Sequence, residues 1–203
     1  MGDVDQHFVA FNPVPLAAAS LGQAHRAKLH SGECSVVKIQ RPGIRNLVHT
    51  DLTALGVVVR WLMKLPMIAR HVNLPALLEE FSAGLWEELN YEEEANHAER
   101  FATMFAADMG VYIPRLYREH STRRVLTLED VTAIKITDYE GLEAAGIDPR
   151  DVARRLMHTY LGMIFDERFF HADPHPGNLF IYALPPGSAQ PPDADLRGAP
   201  FYL

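Results

Sequence analysis

Residues 171–178, His-Ala-Asp-Pro-His-Pro-Gly-Asn, set a carboxylate, Asp173, and a carboxamide, Asn178, five positions apart. Pro174 and Pro176 stiffen the segment and Gly177 lets it turn. Phosphoryl transfer asks for this combination: a carboxylate to orient or accept a hydroxyl proton, and an oxygen ligand for Mg²⁺ on the same rigid loop. Taken alone, D-x-x-x-x-N is more often a polar turn at the end of a helix. The same stretch offers His171, Asp173 and His175 at i, i+2 and i+4, donors that suit Zn or Fe. A metal-dependent hydrolase is therefore a second chemistry open to these residues.

Lys38 lies in Val36-Val37-Lys38-Ile39, a β-branched run with the composition of a strand. A lysine so placed can hold the α- and β-phosphates of a nucleotide if a helix carboxylate holds the lysine. In isolation such a lysine is far more often a solvated one on an edge strand; the acidic helix and the Asp173/Asn178 loop that follow in order are what favour the phosphate reading. Downstream, Glu88 and Glu94 are the carboxylates on offer. Six residues turn a helix through about 600°, so one straight helix cannot aim both at Lys38. Glu94, nearer the strand that follows, is the expected partner. Upstream, Ala17, Ala18, Ala19 and Ser20 occupy the place of a phosphate-cradling loop. Alanine does not reach φ > 0 cheaply, so such a loop must work without glycine's freedom. With Pro15 before it and Gly22 after it, both loop and helix stay open.

The elements that must carry these groups follow from patterning. The run Cys34–Gln40 is a strand closed by Pro42-Gly43, with His30 to Glu33 forming the turn before it. Leu47, Leu52, Leu55, Val59 and Leu62 recur with helical spacing. Asn73 caps a longer helix with Pro75 in its first turn, and an acidic helical stretch continues to Phe105. VYIPRLY (111–117) and RVLTLEDV (124–131) read as two strands. Asp148-Pro149 opens a third helix with a stripe of Val152, Leu156, Tyr160, Met163 and Ile164. The run from Leu184 to Ala199 is rich in Pro and Gly and reads as a loop, after which 201–203 returns to pair beside 179–181. The order implies an α+β fold of two lobes, residues 1–131 and 132–203, joined near Glu129–Thr132.

The chain has 203 residues, 48% hydrophobic and 22% charged, ordinary for a soluble globular domain. The formal net charge is −7 and no basic stripe is present, which argues against nucleic acid as a partner. A single cysteine, Cys34, excludes an intrachain disulfide. Leu52 to Met67 is too short and too charged to span a bilayer.

PLAAASLGQAHRA, VVKIQRPGI, EELNYEEEAN, VLTLEDVTAIKITDYEGLEAAGI and FFHADPHPGNLF, in that order, resemble the UbiB family of atypical, protein-kinase-like proteins linked to ubiquinone biosynthesis. The resemblance implies a bilobal kinase-like fold, with a small mixed lobe and the start of a helical larger one. It makes Ala17, Ala18, Ala19 and Ser20 the nucleotide loop and Lys38 the phosphate-binding lysine. Glu94 becomes the ion-pair partner of Lys38, and Glu129 to Val131 the hinge beside the adenine. Asp173 becomes the catalytic aspartate and Asn178 a Mg²⁺ ligand. ATP and Mg²⁺ are the implied cofactors. The implied activity is that of an atypical kinase or ATPase, with a pseudokinase-like binding module as the alternative. Lipid or quinone-pathway proteins are the implied partners, in the cytoplasm or at the periphery of the inner membrane. Asn90 stands where the family's E-x-D element, beginning here at Glu88, has Asp. The family's K-x-G-Q element is expected before residue 1, and its D-F-G aspartate after Leu203. The 203 residues by themselves are accordingly expected to be inactive.

Overall fold

The computed structural model describes residues 4–18, 20–106, 110–131, 133–184 and 201–203. Two compact units emerge: Met1–His97 with Leu116–Glu129, and Ala98–Arg115 with Asp130–Leu203. Residues 98–115, which the sequence reading assigns to the first lobe, therefore belong with the second unit. Packing is the reason. The Arg100 guanidinium lies 3.7 Å from the centre of the Phe169 ring, and the Phe101 ring packs against it at a tilt, centroids 4.7 Å apart.

The first unit is built on an antiparallel sheet. A short helix α1 (Val4–His7) leads into β1 (Phe8–Phe11), followed by β2 (Ala17–Ala18), β3 (Gly22–Leu29) and β4 (Cys34–Gln40). Then come α2 (Ile44–Leu62), α3 (Pro66–Ala69), α4 (Leu74–Glu88) and α5 (Tyr91–Met104), which runs on into the second unit's residues. A 3-10 turn at Arg118–His120 precedes β5 (Val125–Glu129). The strand order is β1-β3-β4-β5, with β2 also pairing on β3. The tight β3–β4 turn passes through Gly32 at φ 96°, a conformation glycine adopts without strain.

Alternation along β4 divides the core. Val37 enters one face with Phe8, Ala27, Leu29 and Tyr117. The other face packs Leu126 against Tyr91 and Ala95 of α5. A third cluster joins Ile44 and Val48 of α2 to Leu89, with Trp86 beside it under the Arg45 guanidinium. Trp61, near the far end of α2, is exposed.

Three readings from the sequence change here. The helix from Asn73 is two helices, broken at Leu89 and Asn90. VYIPRLY is not a strand: only Leu116 forms an isolated bridge, to Leu128, and Pro114 has no N–H to extend a ladder. Within the alanine run, Ala17 and Ala18 are neither helix nor bare loop, because they pair with Ala24 and Gln23.

The second unit contains β6 (Ile134–Lys135), α6 (Tyr139–Ala144), α7 (Pro149–Gly162), β7 (Phe180–Ala183) and β8 (Phe201–Tyr202). Asp148 caps α7 as expected, accepting a hydrogen bond from Arg150 N at 2.8 Å, with Pro149 at the first helical position. A π-helical turn, Met163–Glu167, continues α7 and alters its periodicity. Val152 and Met163 are buried as the stripe requires, whereas Ile164 is turned outward. The strand order is β6-β7-β8. The closing hairpin exists, but Tyr202 and Phe201 face Tyr182 and Ala183 rather than 179–181. The Arg155 guanidinium, itself buried, donates to the Phe201 carbonyl, and Phe201 joins Leu142, Ile147, Val152 and Ile181 in the unit's core. The run 185–200 lies outside the described residues. Among the described residues no helix is long and apolar enough to cross a membrane.

Candidate active site

Lys38 occupies the interior of the first unit's sheet. Ala17, Ala24, Lys38 and Leu126 are successive cross-strand neighbours on β2, β3, β4 and β5. Such neighbours point to one face, about 4.8 Å apart per strand. Ala17 therefore lies on the Lys38 face, roughly 10 Å from it across two strand spacings, whereas Ala18, in the row of Gln23 and Ile39, is on the other face. Ser20 is exposed at the end of that segment, and Ala19 lies outside the described residues.

Lys38 Nζ donates to both carboxylate oxygens of Glu94, at 2.9 and 2.8 Å. It also sits 4.8 Å from the centre of the Tyr91 ring, whose face attracts a cation. Tyr91 is 2% exposed. Burial, and then the negative charges of Glu94 and Glu88, push its phenol up to about 12, so the ring is neutral at physiological pH. The sequence reading missed Tyr91; its place at the start of an acidic helix opposite a strand lysine was the available signal. Gly22 packs against the same phenol. A Cβ there would stand 2.7 Å from the Tyr91 hydroxyl and 2.8 Å from the Ile39 carbonyl.

The choice between the two glutamates is made by the helix break. Gln40 Nε2 donates to the Leu89 carbonyl at 2.8 Å and to the Arg123 carbonyl at 3.3 Å, and Arg45 Nη1 reaches Leu89 O at 3.2 Å. The end of α4 is thus held by β4 and α2. The Asn90 carbonyl then accepts from Glu93 N and Glu94 N, opening α5 on a new axis. Glu88 ends α4 exposed, whereas Glu94, in the first turn of α5, meets Lys38. The straight-helix premise fails, but Glu94 is the partner. Glu129 pairs in register with Ser35, so alternation puts its side chain on the face opposite Lys38; Val131 follows two residues later, in the second unit.

In the second unit, α7 and its π turn end at Arg168, the one non-glycine residue with positive φ (53°) among those described. The chain then folds back on itself. Phe169 N donates to Met163 O at 3.1 Å. Asn178 Nδ2 donates to Asp173 Oδ2 at 2.8 Å, and His175 N donates to Asp173 Oδ1 at 3.3 Å. The pair expected from spacing is thereby brought together on an exposed loop, with the 3-10 turn Pro176–Asn178 closing it. Because its amide nitrogen is used inward, Asn178 Oδ1 is left to serve as an oxygen donor. Tyr160, read from sequence only as part of an apolar stripe, lies close by; burial and then the Asp173 charge raise its phenol pKa.

The His171/Asp173/His175 metal reading does not hold. His171 Nδ1 accepts from Asp173 N at 3.3 Å and His175 Nδ1 from Gly177 N at 3.0 Å, so both rings cap turns of the loop. Among the described residues no group of three His, Cys, Asp or Glu side chains is arranged to hold a metal ion. Asn178 and Asp173 fit Mg²⁺ in donor type, since hard oxygens from one or two side chains plus substrate phosphates are its usual set.

Residues 1–187 match the ABC1 atypical kinase-like domain. The chain is 42% identical over 172 residues to sll1770 of Synechocystis, covering 85% of this chain and 29% of that protein. It is 42% identical over 171 residues to ACTIVITY OF BC1 COMPLEX KINASE 7, chloroplastic, of Arabidopsis thaliana, covering 84% of this chain and 24% of that protein. Similarity to the protein of Cellvibrio japonicus named Probable protein kinase UbiB is 32% over 187 residues, covering 92% and 34%. The chain thus spans about a quarter to a third of the length of the curated relatives it matches. Among solved structures, Rv3197 of Mycobacterium tuberculosis, in a complex with erythromycin, matches with a TM-score of 0.66 and 26% identity, over 88% of this chain and 44% of that one.

Proposed function

The chain belongs to the ABC1 atypical kinase-like family, which includes proteins named UbiB, and from that premise we propose that it binds ATP and takes part in Mg²⁺-dependent phosphoryl transfer supporting isoprenoid-quinone biosynthesis. One observation carries the reading. Lys38 is held through both Nζ–carboxylate bonds by Glu94, on the face and in the row where β2 presents Ala17.

In this reading Lys38 binds the α- and β-phosphates, and Glu94 keeps its ammonium in place when the nucleotide is absent. Tyr91 supplies a neutral ring beneath the ammonium. The backbone of the alanine hairpin lies beside the phosphates, and the chain at Glu129 to Val131 borders the base. Asp173 orients the hydroxyl that attacks, or takes its proton. Asn178 fixes the Asp173 carboxylate through Nδ2 and offers Oδ1 to Mg²⁺. The metal, when bound, neutralises charge that develops on the transferred phosphoryl group.

The test is nucleotide binding followed by turnover. Titration with a fluorescent ATP analogue should show Mg²⁺-dependent binding, weakened at least about 10-fold in Lys38→Ala, the loss of one charge-assisted phosphate contact. A protein spanning the full length of the relatives should then release phosphate from ATP at a rate that Asp173→Asn lowers by about 100-fold or more. Binding without Asp173-dependent turnover would make the domain a nucleotide-binding module. No binding at all would overturn the reading.

A further inference from the structure

His7 closes α1 and His120 closes the 3-10 turn before β5, and within the first unit their Nδ1 atoms stand 3.2 Å apart. The ring planes cross at 89°. The buried Phe8 ring packs against both imidazoles, its centroid 6.2 Å from that of His7 and 5.9 Å from that of His120. The backbone on each side is pinned as well. His120 N donates to the Tyr117 carbonyl at 3.1 Å, and the His120 carbonyl accepts from Thr127 Oγ1 at 2.7 Å. On the other side, His30 Nε2 donates to the Asp5 carbonyl of α1 at 2.9 Å, and Phe8 pairs with Leu29. The two rings are therefore presented to each other by elements that are already fixed.

A hydrogen bond between the rings accounts for the contact, and it uses one Nδ1 as donor and the other as acceptor. The far side of His120 points to more. Its Nε2 lies 3.9 Å from Glu119 Oε1, so the carboxylate favours the tautomer that carries the proton on Nε2 and turns the Nδ1 lone pair toward His7. A metal-bound imidazole is oriented in the same way, by a carboxylate at its other nitrogen. If His7 also moves its proton from Nδ1 to Nε2, two lone pairs converge on one point and no proton is lost. A tetrahedral ion with Zn–N bonds of about 2.0–2.1 Å needs its two nitrogens about 3.3–3.4 Å apart, close to the 3.2 Å observed. Imidazole suits Zn²⁺, whereas Mg²⁺ takes hard oxygens, so this position is distinct in kind from the Asp173/Asn178 loop.

We propose that His7 and His120 form a two-histidine site for Zn²⁺, with Glu119 positioning His120 and water completing the coordination. The bound ion ties α1 to the turn before β5, and the inference does not rest on nucleotide binding. It is tested by calorimetric titration of the untagged protein with zinc, and by thermal unfolding read from tryptophan emission, since Trp61 and Trp86 both lie in this unit. Zinc should bind and raise the unfolding midpoint, because an ion held only by the folded state stabilises it. Excess Mg²⁺ should not displace it. His7→Gln and His120→Gln should each lower zinc affinity by about 100-fold with an unchanged circular-dichroism spectrum. Glu119→Gln, at a side chain 66% exposed, should lower it by about 10-fold. His171→Gln/His175→Gln should bind zinc like wild type. Absence of zinc binding, wild-type affinity in either single-histidine variant, or loss of binding in His171→Gln/His175→Gln would each overturn the proposal. Should a histidine variant unfold, wild-type affinity in Glu119→Gln would overturn it as well.

Discussion

Lys38 and Glu94 keep 40% and 42% of their side chains exposed while sharing two short hydrogen bonds. Exposed pairs of this kind contribute about 1 kcal/mol or less to stability, so the pair is better understood as holding an ammonium ready than as holding the fold. Lys38→Ala should therefore move the denaturation midpoint little while weakening ATP binding, and equal loss of both would contradict the assignment. Tyr91 behaves oppositely. Its phenol, raised to about 12 by burial and by Glu94 and Glu88, keeps its proton in the folded state after the unfolded chain has lost it near pH 10. The folded state binds more protons in that window, so stability falls as pH rises from about 10 to 12, by at most about 3 kcal/mol. Urea denaturation of wild type and Tyr91→Phe at both ends of the window checks this. The wild type should lose more, and parallel losses would show that Tyr91 does not titrate as described.

The α4–α5 break is the element on which the first unit's chemistry turns. Gln40 is buried, one strand residue beyond Ile39, and donates to the Leu89 carbonyl where α4 stops. Gln40→Leu leaves that carbonyl to Arg45 alone and should cost about 1–3 kcal/mol. It should also weaken nucleotide binding, although residue 40 is assigned no contact with nucleotide, because the break sets where α5 begins. Normal binding in a destabilised Gln40→Leu would separate the two effects. At Gly22 the expected loss is of the same order but steric in origin. Alanine would press its Cβ on the Ile39 carbonyl, a backbone atom that cannot swing aside, and on the Tyr91 hydroxyl. Gly22→Ala should thus destabilise the unit by about 1–3 kcal/mol, read from thermal unfolding. A neutral outcome would mean that β3 shifts freely.

At the scale of the whole molecule, what could be read from the sequence was what local pattern encodes. The β4 strand, the caps at Asn73 and Asp148, and the Asp173/Asn178 loop all declare themselves within a few residues, and each is found. The helix break was hidden because neither Leu89 nor Asn90 is a proline or glycine; the interruption comes from Gln40, 49 positions before Leu89, which no local pattern contains. The pairing of Ala17 with Ala24 was hidden for a related reason. An alanine run has no strand propensity of its own, and its extended form depends on a partner strand. The π turn after α7 was likewise invisible, since its residues continue a helical composition.

The two tryptophans have a practical consequence of their own. Trp61 and Trp86 are the chain's full complement, and both belong to the first unit, on α2 and α4. Indole emission excited at the red edge, where tyrosine does not absorb, is consequently deaf to the second unit. A melting curve recorded that way should give one transition, that of α2 and α4, whatever happens around Asp173. Tyrosine absorbance is weighted toward the other half, since five of the seven tyrosines belong to the second unit and Tyr112, Tyr182 and Tyr202 stack on one another there. Unequal midpoints from the two spectra would then resolve the units optically without any label.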